Sequence, residues 1–172
     1  MTTYHPVVRW KPNRAGIRNI WEYDEQVFSF ADGRMILRGP NGSGKSNALA
    51  LVFPFLFDGT MSAAAMDPFA GGRSMKSLLL GVVRDDARSG FRHDQRLGYV
   101  WLEFARIGPD GDEHITVGCG ARARSDGDAR SWFFLTDRRV GIDLDLAPDN
   151  TPLTRGRVIE ELGAEAVHDG AE

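Results

Sequence analysis

The amino-acid sequence predicts an α/β fold: a strand–loop–helix core with an antiparallel β-subdomain attached. Three observations carry that expectation. A glycine-rich loop, Gly39-Pro40-Asn41-Gly42-Ser43-Gly44-Lys45-Ser46, sits between an apolar strand-like run and an apolar helix-like run. Further on, stretches of alternating hydrophobicity are separated by turn-forming residues such as Pro109-Asp110-Gly111 and Ser125-Asp126-Gly127-Asp128. The chain has 172 residues, 42% hydrophobic and 26% charged, which is one domain's worth with enough apolar matter for a core. The expected organisation is one unit over 1–172, with a strand–loop–helix core at 14–58 and an antiparallel meander at 98–145.

Taken in order, Gly16–Tyr23 and Glu25–Phe30 read as a first pair of strands, with Val27, Phe28 and Phe30 supplying β-forming bulk. Asp32-Gly33 marks a tight turn, and Met35, Ile36 and Leu37 make Arg34–Arg38 a strand running into the loop. A helix follows from Lys45, and Pro54 is expected to bend or end it, because proline lacks the donor for an i−4 bond. Residues 58–73 read as a long surface excursion. Ser74 is placed to cap a short helix to Leu80. In Tyr99–Ala105, Val100, Leu102 and Phe104 fall on one face of a strand. His114–Cys119 is the returning strand, Ser131–Thr136 the next arm, and Val140–Leu144 the last. Thr154 caps a final helix, Arg155–Leu162, with Gly163 placed to end it.

The loop carries the chemistry. Glycines at 42 and 44 permit backbone turns that other residues resist and leave space for phosphate oxygens. Amides from Asn41 to Ser46 would then form a nest at a helix N-terminus, where the macrodipole favours anions. Lys45 supplies the mobile positive charge, and the Ser46 hydroxyl is a hard oxygen ligand for Mg²⁺. The expected ligands are ATP and Mg²⁺, with Asn41, Gly42, Ser43, Gly44, Lys45, Ser46 and Asn47 as the binding residues. Residues 1–100 carry 13 Lys and Arg against 9 Asp and Glu, whereas residues 101–172 carry 8 against 15. The loop therefore lies in the basic part of the chain, which suits an anionic ligand.

Other candidates are weaker. Phe55-Leu56-Phe57-Asp58 and Phe133-Phe134-Leu135-Thr136-Asp137 imitate the apolar run ending in Asp that holds magnesium in phosphoryl-transfer enzymes. No convincing catalytic general base is found. Ala70-Gly71-Gly72-Arg73 superficially resembles the Ser-Gly-Gly signature of ABC-type ATPases but reads as a loop. Arg84, Arg88, Arg92 and Arg96 recur every four residues, which would align them on one helical face for DNA phosphates, but Ser89-Gly90 interrupts that helix and the stretch otherwise reads as a solvated loop. Trp21 and Tyr23 are either adenine-stacking rings or half-buried strand aromatics. The four histidines show no metal-ligand spacing, and Cys119 reads as a buried thiol within a strand. The N-terminus has neither a basic region nor an apolar core of a signal peptide, and the longest apolar run, Ala48 to Phe57, is too short to span a bilayer. A cytoplasmic protein without membrane partners is expected.

Gly39 to Asn47 resembles the Walker A segment of SMC and recombination-repair ATPases, in which Pro-Asn lies inside the loop and Asn follows the serine. Gly16-Ile17-Arg18-Asn19-Ile20 is similar to that family's first strand, but Trp21-Glu22 stands where an aromatic-basic pair is usual. More narrowly, Arg9-Trp10-Lys11-Pro12, Ala15-Gly16-Ile17, Phe28 to Arg34, Leu37 to Ser46 and Asp67-Pro68-Phe69 resemble the large SMC-like (MksB/JetC-like) proteins of bacterial Wadjet plasmid-defence systems. The resemblance is dense over 9–80 and thin after about 106.

That resemblance implies the N-terminal, Walker A lobe of an ATPase head, incomplete without a C-terminal lobe that brings the signature motif and the water-activating glutamate. It implies ATP held between this head and a second SMC-like head, DNA as the object of the assembly, and kleisin-type subunits as possible partners. It also implies that Arg73 is the arginine that contacts phosphate. ATPase activity would belong to the completed assembly. Two alternatives stay open: a self-contained small P-loop NTPase or kinase using Asp137 or Asp58 for magnesium, and a non-catalytic nucleotide-sensing module.

Overall fold

The computed structural model describes residues 9–57, 74–85, 88–108 and 111–170. Strands β1 (Lys11–Ile20) and β2 (Tyr23–Ser29) form a hairpin, followed by helix α1 (Lys45–Phe57) and the short helix α2 (Met75–Leu80). A small hairpin, β3 (Val82–Asp85) with β4 (Arg88–Phe91), leads into two long strands, β5 (Gln95–Gly108) and β6 (Gly111–Arg124). Strand β7 (Arg130–Thr136), helix α3 (Arg155–Leu162) and the short strand β8 (Val167–Asp169) complete the order.

The main sheet has six strands in the order β2-β1-β5-β6-β7-β8, and every neighbouring pair in it is antiparallel. This corrects the α/β expectation. The antiparallel sheet is the architecture of the described residues rather than an annex to a strand–loop–helix core. The physical reason lies in the connections. Trp21-Glu22 and residues 125–129 are short turns, which can only return the chain antiparallel to itself. Parallel pairing would need a crossover that brings a second strand beside Arg34–Arg38, and the described residues contain none. Residues 35–40 accordingly belong to no strand, and the isolated Ala31–Arg34 bridge around Asp32-Gly33 lies just before them.

Both faces of β5 are buried. Val100 and Leu102 face a layer made by Ala48, Leu51 and Val52 of α1 and Leu78, Leu79 and Leu80 of α2, together with Ala15, Ile17 and Ile20 of β1. The 48, 51, 52 spacing is one helical stripe, which is why α1 lies flat on the sheet. Tyr99 and Trp101 point to the opposite face, where Trp132, Phe134, Val140, Leu144, Leu146, Val158 and Val167 close over them. The Tyr99 hydroxyl donates to the Leu153 carbonyl and pins this covering segment to the sheet.

That second face is packed by an alternation of glycine and aromatic residues across the strands. One row runs Gly16, Trp101, Gly118, Phe134, and the next includes Tyr99, Gly120 and Trp132. A Cβ on Gly118 would stand 2.0 Å from Phe134 Cζ, and one on Gly120 would stand 2.3 Å from Trp132 Cε2. The rings therefore lie over backbone that carries no side chain.

Several local readings meet the structure in detail. Ser74 caps α2, its side chain accepting from Ser77 N at 3.2 Å. Helix α3 spans Arg155–Leu162, yet Thr154 makes no side-chain capping bond. Helix α1 continues past Pro54 to Phe57, so the proline does not end it. Val140–Leu144 is a turn closed by an isolated bridge and not a strand.

Glu103, on β5, is fully buried with its charge. Arg14 reaches it through Nε at 3.1 Å and Nη2 at 2.5 Å, Arg139 through Nε at 3.2 Å and Nη2 at 3.3 Å, and Asn13 Nδ2 at 2.6 Å. Burial pushes the carboxyl upward, but hydrogen bonds from Arg14, Arg139 and Asn13 outweigh it and hold the group at about 2. A depressed folded-state value stabilises the fold above the ordinary value of 4.5, and that contribution disappears as pH falls toward about 2.

Two measurements check these packing arguments. Gly120→Ala forces a Cβ into the Trp132 ring and should cost about 1–3 kcal/mol in urea unfolding; an unchanged midpoint would show that the ring yields freely. The wild-type urea midpoint should drop steeply between pH 4.5 and 2, and Glu103→Gln should be less stable at neutral pH but less sensitive to acid over that range.

Candidate nucleotide-binding site

The glycine-rich loop ends at the start of α1, where Lys45 is the first helical residue. Gly42 has φ +82° and Gly44 φ +86°, both in the left-handed region that glycine enters without a Cβ penalty. Ser43 N donates to the Pro40 carbonyl at 3.3 Å, closing the turn, and Ala48 N donates to Gly44 O at 2.9 Å as the first bond of the helix. The amides of Lys45, Ser46 and Asn47 thus lack acceptors within the helix and form its positive end. The first turn of α1 contains no acidic residue to neutralise that end.

Lys45 bends back over its own loop. Its Nζ donates to the Gly39 carbonyl at 2.8 Å and the Pro40 carbonyl at 2.7 Å, and lies 3.4 Å from Ser43 Oγ. Asn41, Gly42, Ser43 and Ser46 are exposed, while Gly44 and Lys45 are half-buried. The side chain of Asn47 lies outside the described residues. The set consists of an ammonium, two hydroxyls and helix-terminal amides, so its chemistry fits a phosphate chain. Among the described residues no cluster of three His, Cys, Asp or Glu side chains exists to hold a metal by itself. A magnesium ion here would rest on Ser46 and on the oxygens of the phosphates.

The base of the loop is built on the β1–β2 turn. The Tyr23 hydroxyl donates to the Gly44 carbonyl at 3.0 Å. A Cβ on Gly44 would stand 2.6 Å from that hydroxyl and 3.0 Å from Trp21 Cζ3, so both rings lie against the glycine. The two rings are tilted by 58° with centroids 5.5 Å apart. Burial, then the nearby Glu22 charge, raises the Tyr23 pKa and keeps the phenol protonated as a donor. Sequence reasoning placed these aromatics as base-stacking rings or strand residues and missed their contact with the loop. The glycine at 44 was the available signal, since its neighbours need it as much as its φ does.

This turn is itself strained and braced. Asn19 and Trp21 both have φ +55°, a conformation that a bulky side chain rarely adopts. Arg96 holds it: Nε donates to Asn19 Oδ1 at 2.8 Å, and Nη1 to the Trp21 carbonyl at 2.7 Å and the Leu79 carbonyl at 3.3 Å. Asn19 Nδ2 donates to the Leu97 carbonyl at 2.6 Å, and Trp21 N to the Leu78 carbonyl at 2.9 Å. The arginines at 84, 88, 92 and 96 share no helical face. Arg84 and Arg88 lie on the β3–β4 hairpin, Arg92 follows it, and Arg96 is an internal brace on β5.

The remaining candidates separate from the loop. Asp137 follows Thr136, which is linked across the sheet through Thr116 and Glu103 to Arg14. The Trp21 turn lies beyond the row of Arg18, Tyr99, Gly120 and Trp132, more than about 13 Å along the strands. Asp58, the Asp67-Pro68-Phe69 segment and the Ala70–Arg73 run lie outside the described residues. A groove of about 410 Å³ lined by Arg9, Lys11, Asp32, Arg106 and His114 includes no residue of 39–47. Cys119 is buried, and burial pushes its thiol up to about 12, so it is not a nucleophile at neutral pH.

A comparison with protein-family models finds none that matches the chain, and a comparison with curated proteins finds none either. Among the described residues no helix is long and apolar enough to cross a membrane.

Proposed function

We propose that this chain binds ATP with Mg²⁺ at residues 39–47 and serves as the ATP-binding half of an SMC-like ATPase head in ATP-driven DNA handling, in chromosome maintenance or plasmid defence. The observation that supports it most is the geometry of the loop: left-handed glycines at 42 and 44 leading into a helix whose first residue is Lys45. The nucleotide and partner assignments come from the loop's sequence and the family resemblance, which reaches across residues 9–80.

In this reading the amides at the start of α1 and the Lys45 ammonium bind the β- and γ-phosphates. Lys45 exchanges the Gly39 and Pro40 carbonyls for phosphate oxygens, which are stronger acceptors because they carry charge. Ser46 offers its hydroxyl to magnesium, which neutralises phosphate charge when bound. The chain itself binds and orients the nucleotide. The base that activates water comes from a C-terminal lobe, and a second head closes the site, with kleisin-type subunits joining the assembly. The reading of a self-sufficient enzyme with Asp137 as its magnesium ligand loses ground, because that residue lies toward the other end of the sheet.

Lys45→Ala should weaken ATP binding at least tenfold in calorimetry while the urea midpoint moves little, since the ammonium hydrogen-bonds to its own loop. Equal affinity in the variant would remove the assignment. The 172-residue chain alone should hydrolyse ATP barely above background, and robust turnover in a phosphate-release assay would contradict the split-site reading.

A further inference from the structure

The Asn19–Tyr23 turn is unusual in three ways at once. It contains two left-handed non-glycine residues, one of them a tryptophan. It is held in that form by four hydrogen bonds, two from Arg96, one from Asn19 and one from the Trp21 amide, while Arg96 also reaches the Leu79 carbonyl at the end of α2. Its two aromatic side chains meet the loop at one residue, Gly44. Strained backbone persists only where surroundings over-determine it, and here the surroundings lead to the phosphate loop.

Resting on the nucleotide-binding reading, we propose that Tyr23 and Trp21 are positioning residues for the phosphate cradle, acting on the loop and not on the adenine. The Tyr23 hydroxyl fixes the Gly44 carbonyl, which is also the acceptor of the first helical bond from Ala48 N. One carbonyl therefore joins the turn, the loop and the helix. Holding it sets the peptide plane between Gly44 and Lys45, and with it the direction of the Lys45 amide and the root of the Lys45 side chain. Trp21 packs beside it on the same side of Gly44, so that the glycine cannot swing toward the turn. Arg96 transmits the arrangement from β5 and the end of α2, because it touches the carbonyls of Trp21 and Leu79 together. An aromatic that is placed to brace the loop must then feel the phosphates, whichever base they carry.

The test uses two probes, ATP with Mg²⁺ and inorganic tripolyphosphate with Mg²⁺, on the full chain. Tyr23→Phe removes one neutral hydrogen bond and should weaken both by a similar factor, about fivefold. The emission of Trp21, read as the difference between wild type and Trp21→Phe, should change with both probes. Far-UV circular dichroism and the urea midpoint of Tyr23→Phe check that its fold is kept. An unchanged affinity in Tyr23→Phe would overturn the proposal. So would a Trp21 signal, or a loss of affinity, that is seen with ATP and not with tripolyphosphate, since that result would make the pair a base platform. Failure of the wild type to bind either probe would sink the nucleotide reading and this proposal with it; binding by wild type that Lys45→Ala loses but Tyr23→Phe keeps would sink this proposal alone.

Discussion

Pairing of β5 with β1 on one side and β6 on the other is the constraint on which the rest depends. β5 is a central strand with apolar layers on both faces, so neither face can be surrendered without exposing a core. Val100 and Leu102 give α1 and α2 something to lie on, and Tyr99 and Trp101 give the 140–166 segment its own floor. A shift of one residue in register would exchange these two sets and place small aliphatic side chains where rings are needed. The helix that bears Lys45 is therefore set by the same register that positions the covering segment on the far side.

Two polar assemblies interrupt this apolar frame, and they work differently. Glu103 with Arg14, Arg139 and Asn13 ties β1 and β5 to the loop after β7 with a charged group at the centre. Its removal would leave two guanidinium groups facing a vacancy, so breaking the cluster costs more than forming it contributes. Arg96 instead satisfies carbonyl groups of a turn and a helix end, with Asp24 3.8 Å away. Burial lowers its pKa and Asp24 counters this. The first assembly holds strands together; the second holds a conformation that the backbone would otherwise leave.

Much of this was legible in sequence where a single local rule decides. Glycine at 42 and 44 before Lys-Ser gave the loop, Ser74 gave a helix start, and the alternation of Val100, Leu102 and Phe104 gave a strand face. The fold class was not legible. Met35-Ile36-Leu37 has strand composition, but a strand exists only where a partner is present, and composition does not supply one. The arginines at 84, 88, 92 and 96 have a helical period, but 84 and 88 lie on a hairpin, 92 on the bend after it and 96 on a long strand. The aromatic brace under the loop was hidden for the same reason: contact between Tyr23 and Gly44 depends on the turn at Trp21, whose φ no residue type announces.

The checkered face of the sheet has a consequence for how such a chain can change. Gly16 with Trp101, Gly118 with Phe134 and Gly120 with Trp132 are opposed across neighbouring strands, and in each pair one partner contributes volume that the other gives up. What the packing constrains is the summed volume of the pair, not the identity of either member. Drift at these positions is therefore confined to coupled steps, in which a strand gains bulk only as its neighbour loses it. Related chains should show these positions varying two at a time, leaving the sheet spacing, and the helix carrying the glycine-rich loop on its other side, undisturbed.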